Sequence, residues 1–361
     1  MRALNTFGIV IVLGLLSAQA AAFNAAAQTS PAQSQPAKQV EVAPVSAASL
    51  SNAKAFAAKG KLDQALSELE TLSRVQPEEK GVERLRGIVL YQKEMLPEAL
   101  LAFARAVEQD STDHESMEMQ GITLYRLGRP DEAIPLLEKA DTEVTGANAD
   151  PKYVLGLCYT DAKRYDDARR AFAAQFGFQP DSAEAYLAAA RLFLRRDFAD
   201  EARRFAQKAV EINPSLPLTH QLLGEIALAK ADLPLAVKEL ETERKLNPMN
   251  GEMYDRLGDA YVRNGQFEEA RQALNKAILL EPNATGPYIL LGEALVNLNE
   301  PIQALHYLNR AVTMDPGNYV THTVLGQAYR AMGQVSEANR EYKLAVAIQH
   351  KGDPKPPQSK E

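Results

Sequence analysis

The 361-residue chain has one cysteine, Cys158, so no disulfide can form within it and its fold must stand on packing alone. It has no run of Lys or Arg, and its 40 basic residues are outnumbered by 47 acidic ones, for a formal net charge of −7. Nucleic acid and anionic membranes both favour clustered positive charge, so neither is expected as a partner. A phosphate loop, a dinucleotide fingerprint, a nucleophile elbow and zinc-ligand spacing are all missing. His220 and His322 recur at one slot three units apart, too far for shared ligation, and His114, His306 and His350 fall in separate units without Cys or acidic partners at ligand spacing, so no metal or cofactor is expected. What the chain does have is 46% hydrophobic and 24% charged residues, enough to bury a sizeable core.

Long apolar runs are confined to the N-terminus. Arg2, the apolar residues 7–16 and the small residues of Ser17-Ala18-Gln19-Ala20 read as a signal peptide over residues 1–20, with cleavage after Ala20, or after Ala22 or Ala27. The competing reading is an uncleaved inner-membrane anchor, since residues 4–23 just reach the roughly 20 needed to span a bilayer. No cysteine follows the run, so there is no lipoprotein-type acylation site. Residues 28–45, rich in Pro, Gln, Ser and Ala, read as a flexible linker, and 351–361 as a disordered tail. The expected location is periplasmic or secreted.

The remainder, 46–350, repeats itself. Gly258, Gly292 and Gly326 each follow a Leu and lie 34 residues apart, and stepping backwards gives Gly224, Ala190, Gly156, Gly121, Gly87 and Ala53, with a single step of 35. Nine units result, beginning at Ser46, Lys80, His114, Ala149, Ala183, Pro217, Gly251, Thr285 and Tyr319. Twelve residues after the small one stands an alanine in all nine, from Ala65 to Ala338, which is no accident of composition. Four residues further comes a large side chain, such as Phe103, Phe172, Leu274 or Tyr342. Spacings of three and four place groups on one helical face, and a gap of about twelve crosses a turn into a second helix. Gly60, Gly128, Asp197, Gly265, Asn299 and Gly333 suit the cap of the first helix. Pro97, Pro130, Pro234 and Pro301 suit the first turn of the second, and Pro77, Pro180, Pro214, Pro248, Pro282 and Pro316 end it.

This pattern resembles the tetratricopeptide repeat (TPR), and the unit containing Tyr254, Leu257, Gly258, Tyr261, Ala270, Leu274, Ala277 and Pro282 satisfies every position except a tryptophan at the first large site. The resemblance implies an all-α, right-handed α-solenoid of about nine helix–turn–helix units, whose first helices line a concave groove that holds protein ligands. The carboxylate clamp of the co-chaperone version is missing, because its asparagine slot holds Lys54, Ile88, Ile122, Leu157, Arg191, Glu225, Asp259, Glu293 and Gln327. Cys158 falls in a slot filled elsewhere by Val89, Leu192 and Ile226, which makes it a buried structural thiol.

The groove-facing slots change character along the chain. Ile88, Tyr91, Ile122, Tyr125, Tyr153, Leu157, Leu187 and Leu194 form an apolar, tyrosine-bearing half. Arg191 and Arg195 follow, then Glu225, Glu252, Asp255, Asp259 and Glu293. An apolar half suits a peptide or helix, and an acidic half a basic segment. The last unit leaves Val346 and Ile348 where another unit would pack, a surface suited to self-association. Repeats leave no room for a catalytic domain. The expected function is therefore a non-catalytic interaction scaffold of the bacterial envelope, binding protein and no small-molecule substrate. The alternative is an accessory or regulatory subunit of an envelope enzyme or a polysaccharide-export or secretion complex.

Overall fold

The computed structural model describes residues 49–74, 79–140 and 151–351. The expected signal peptide, the 28–45 linker, Pro77, the predicted start of the fourth unit at Ala149 and the tail from 352 onward lie outside the described residues. Among the described residues there are eighteen α-helices and no strand. The first helices of the nine hairpins are α1 (Leu50–Ala58), α3 (Val82–Gln92), α5 (His114–Arg126), α7 (Pro151–Asp161), α9 (Ala183–Arg195), α11 (Thr219–Ala229), α13 (Gly251–Arg263), α15 (Thr285–Asn297) and α17 (Tyr319–Ala331). The second helices are α2 (Leu62–Leu72), α4 (Leu96–Gln109), α6 (Pro130–Ala140), α8 (Tyr165–Phe176), α10 (Ala199–Ile212), α12 (Leu233–Leu246), α14 (Phe267–Leu280), α16 (Pro301–Met314) and α18 (Val335–Lys351). The last helix thus includes Lys351, which the sequence assigns to the tail. The fold is an all-α solenoid, and it divides into two compact units, Met1–Ala171 and Phe172–Glu361. Within each unit the second helix of one hairpin packs on the first helix of the next, as α4 does on α5 and α12 on α13.

The spacing in the sequence becomes a packing rule. A Cβ placed on Gly87 would meet the Phe103 ring, one on Gly121 would meet Leu137, and ones on Gly224, Gly292 and Gly326 would meet Leu240, Leu308 and Tyr342. The partner always lies sixteen residues on, from the second helix of the same hairpin. Leu137, Leu240 and Leu308 are fully buried, as are the alanines Ala65, Ala99, Ala133, Ala168, Ala202, Ala236, Ala270 and Ala304 four residues before this slot. One repeat fills the same crossing with two alanines, Ala190 and Ala206, both fully buried.

The turn inside each hairpin is equally regular. One residue with positive φ stands in each: Gly60, Glu94, Gly128, Lys163, Asp197, Ala231, Gly265, Asn299 and Gly333. The residue after it donates its N–H to a carbonyl five positions earlier, as in Met95 to Leu90, Asp232 to Ala227 and Gln266 to Tyr261, which closes the last turn of the first helix. Glu94, Lys163 and Ala231 hold this left-handed geometry without glycine, so their turns rest on the hydrogen bond and on the packing of both helices.

Several first helices are capped by their own preceding side chain: Ser49, Asp113, Ser182, Asn250 and Asn318 each accept from a first-turn N–H. The sixth repeat has Leu218 at that position, at φ 71°. Its orphan donors go to a buried carboxylate instead: Glu243 of α12 accepts from the N–H of Leu218 at 2.7 Å and of Gln221 at 3.3 Å. Tyrosine hydroxyls tie successive repeats: Tyr159 of α7 donates to Glu138 of α6, and Tyr261 of α13 to Glu241 of α12, both at 2.5 Å.

The crossing rule yields a sign reversal. A Cβ at Gly292 would lie 2.5 Å from Leu308 Cγ. Overpacking of about 1–3 kcal/mol exceeds the helix propensity of about 1 kcal/mol that alanine gains over glycine, so Gly292→Ala should lower the urea unfolding midpoint. In a Leu308→Ala background, which copies the Ala190 and Ala206 pairing, the same substitution should raise it. A lowered midpoint in both backgrounds would contradict the rule.

Candidate interaction face

The helix periodicity that buries the small residue and its large neighbours turns one stripe of each first helix outward. In the first unit that stripe carries less apolar surface than the sequence suggests. Tyr91, Ile122 and Leu157 are 6%, 2% and 8% exposed, because they fill the space between neighbouring helices rather than face a ligand. Arg126 closes over Tyr91, its guanidinium carbon 4.8 Å from the ring centroid, and pairs with Glu94. The residues that keep part of their surface are Ile88, Tyr125 and Tyr153.

In the second unit the stripe starts on α9 with Leu187, Arg191 and Leu194 half-buried and Arg195 exposed. It continues through Glu225 of α11, Glu252, Asp255 and Asp259 of α13, and Glu293 of α15. Four residues absent from the expected face belong to it. Asn250 donates to Gln221 Oε1 at 2.7 Å, and Gln221 donates to Glu225 at 2.9 Å, linking α13 to α11. Arg256 stands among Glu252, Asp255 and Glu225 at 3.6, 4.0 and 3.9 Å, and Arg263 is 3.6 Å from Asp259. Arg256 could have been found as the sequence neighbour of Asp255, and Arg263 by counting one helical turn on from Asp259. The Asn250–Gln221 bridge needs the inter-repeat geometry, which no spacing supplies.

The carboxylates are short of cations. Burial pushes the Asp255 carboxyl up to about 6; Arg256 pulls against this, while Asp259, Glu281 and Glu252 add to it. Its Oδ1 is buried without a hydrogen-bond partner, facing Gly286 of α15. Burial likewise raises Glu293, with Asp259 contributing. Ionised carboxylates in such surroundings are held in place at a cost to the fold.

Two of the histidines, His220 and His322, are buried between the helices of their hairpins. His220 places Nδ1 2.7 Å from Glu239 and Nε2 3.3 Å from the Pro214 carbonyl, and His322 repeats this with Glu341 and Pro316. The hydrogen bond to Glu239 raises the His220 pKa. Among the described residues no group of three or more His, Cys, Asp or Glu is placed to hold a metal ion, and no helix is long and apolar enough to cross a membrane. Cys158 is buried. On the last hairpin Val346 is 52% exposed and Ile348 half-buried.

The raised Asp255 pKa makes a signed prediction. The folded state holds this proton more tightly than the unfolded chain, so the associated stability is present at low pH and is lost as pH climbs from the ordinary aspartate range through about 6. Asp255→Asn should therefore stabilise the chain at pH 7.5 by about 1–2 kcal/mol and have little effect near pH 4. Urea midpoints at the two pH values measure this, and an equal effect at both would contradict it.

Models described as tetratricopeptide repeat match residues 50–114, 124–192, 251–284 and 286–318, between them more than half of the chain. The chain is similar to Superkiller protein 3 of Schizosaccharomyces pombe, 23% identical over 172 residues, which are 44% of this chain and 12% of that protein. It is also similar to Superkiller complex protein 3 of Mus musculus, 24% identical over 233 residues, 63% of this chain and 15% of that protein. It therefore spans only 12–15% of the length of these relatives. Among solved structures it is similar to MamA, with 23% identity, TM-score 0.41, and coverage of 45% of this chain and 95% of that one. It is similar too to YrrB, described as a TPR protein with an unusual peptide-binding site, with 23% identity, TM-score 0.45, and coverage of 51% and 95%. The four matched models agree with the nine hairpins, their small-residue crossings and their turns: the chain belongs to the tetratricopeptide-repeat family.

Proposed function

We propose that this protein is a non-catalytic scaffold of the bacterial envelope that holds segments of partner proteins against the outward stripes of its first helices. The observation that carries the reading is the under-neutralised stripe of the second unit. Its carboxylates stand on three successive first helices, and Asp255 and Glu293 are kept where burial opposes their charge. Packing does not require acids at the positions of Glu225, Asp259 and Glu293: the corresponding slots of other repeats hold Ile88, Ile122 and Gln327. Charge kept against stability is a mark of a binding surface. In the first unit, Ile88, Tyr125 and Tyr153 would supply an apolar contact for a peptide or helix. Work outside the cytoplasm is supported by the signal-like residues 1–20.

Capture from the native envelope fraction with the full chain, quantified against variants, tests this. Two variants are needed, Tyr125→Ala with Tyr153→Ala, and Asp259→Lys with Glu293→Lys, each shown by circular dichroism to keep its helix content. At least one should reduce recovery of the same partner by about tenfold, the equivalent of 1.4 kcal/mol. Unchanged recovery with both, or absence of the protein from the envelope fraction, would overturn the reading.

A further inference from the structure

Charges elsewhere on this surface neutralise one another locally. On the second helices and the turns before them, Arg129 pairs with Glu132, Arg164 with Asp167, Arg204 with Glu201, Arg244 with Glu241 and Arg271 with Glu268, all three residues apart. The first-helix stripe of the second unit does not follow this pattern. On α9, Arg191 and Arg195 stand one turn apart with neither an ion pair nor a hydrogen bond from their side chains to described residues, and the acid of that helix, Glu184, lies about two turns from Arg191. Across α11, α13 and α15, Glu225, Glu252, Asp255, Asp259 and Glu293 outnumber Arg256 and Arg263, and Glu293 has no cation paired with it among the described residues. Unpaired positive charge thus stands at one end of the stripe and an excess of negative charge at the other.

Resting on the scaffold reading above, we propose that this stripe takes a single extended, bipolar segment of a partner protein, with its acidic end against Arg191 and Arg195 and its basic end against Asp259 and Glu293. The stripe then reads the order of charge along the segment, not its net charge. Neighbouring first helices from α9 to α15 are in contact. At about 10 Å between neighbouring helix axes, the arginines and the far acids are separated by on the order of 20–30 Å, which an extended chain crosses in roughly six to nine residues. A matching segment has acids and bases separated by a neutral stretch of that length. Charge complementarity of this kind sets register and rejects wrong partners, since a reversed or mixed arrangement places like charges together.

The probes are two synthetic peptides of identical composition. One has four Glu, a seven-residue neutral spacer and four Lys; the other has the same residues with Glu and Lys alternating. Fluorescence anisotropy with the full chain at 50 mM salt should show the block isomer binding at least about tenfold more tightly, as several exposed pairs of 0.2–1 kcal/mol each together allow. The difference should shrink at high salt. In the Arg191→Glu, Arg195→Glu variant the preference should vanish, and a uniformly basic peptide should gain affinity. Equal binding of the isomers, no binding by either, or a preference untouched by the charge reversal would overturn the proposal. If capture by the native chain still depends on the stripe while the isomers bind alike, the charge order fails and the scaffold reading stands. If capture fails as well, both fall.

Discussion

Each hairpin closes on one crossing, where a glycine or alanine of the first helix lets a large side chain of the second approach to van der Waals contact. The other regularities follow from that contact. The large side chain is sealed from water, so the alanine four residues before it has no room to be anything larger. The distance between small residue and partner fixes the turn, because sixteen residues leave space for little more than one left-handed residue and the hydrogen bond that closes over it. The seventh repeat shows all these features together in Gly258, Gly265, Ala270 and Leu274. The fifth keeps the spacing while exchanging the volumes for Ala190 and Ala206. What the fold holds constant at the crossing is the small residue of the first helix, glycine or alanine, while the side chain opposite it ranges from alanine to tyrosine.

That constancy explains what was readable from the chain alone. Hairpins, turns and buried alanines recur with a fixed period because packing leaves those positions few alternatives, and periodicity exposes them. Glu94, Lys163 and Ala231 escaped notice as turn residues because their left-handed geometry is imposed by the helices on either side, and their side chains give no sign of it. The buried cap from Glu243 was hidden for a similar reason: it replaces a missing N-cap from 25 residues away from Leu218. The face was read less well than the fold. Ile122 and Leu157 share a slot with Glu225 and Asp259, which stay partly exposed, yet a large apolar side chain in such a slot folds down between its neighbours while a carboxylate stays at the surface. Slot position predicts direction, and side-chain chemistry then decides depth.

The same division separates what the protein must conserve physically from what it can vary. The interior is one contact repeated, with each hairpin packed mainly on its neighbours, so stability is close to a sum of local terms. A substitution at an outward slot of α13 therefore changes the surface there without asking the first hairpin to adapt. This leaves the outward stripe free to carry unfavourable chemistry in a limited region. Asp255 and Glu293 sit within such a region, and the loss they impose is absorbed by repeats whose crossings are intact.

Charge on the two sides of a hairpin follows from the same geometry. Second helices expose one full face to water, where residues three apart can pair within a single helix, as Arg204 with Glu201 and Arg271 with Glu268 do. First helices are pressed between neighbours and expose only a narrow stripe, with room for one or two side chains per turn. Neutralisation there comes from the same helix, as Arg263 supplies for Asp259, or from the adjacent repeat, as Arg256 supplies for Glu225. Where the adjacent repeat offers the same sign, as Asp259 of α13 does to Glu293 of α15, it adds to the charge instead of balancing it. A stripe built in this way accumulates like charge wherever successive repeats hold like residues, and that charge is left to water and counter-ions or, on the reading proposed above, to a partner segment lying across several repeats. The geometry that makes the solenoid indifferent to local sequence thus also lets its first-helix face carry charge that the interior does not balance.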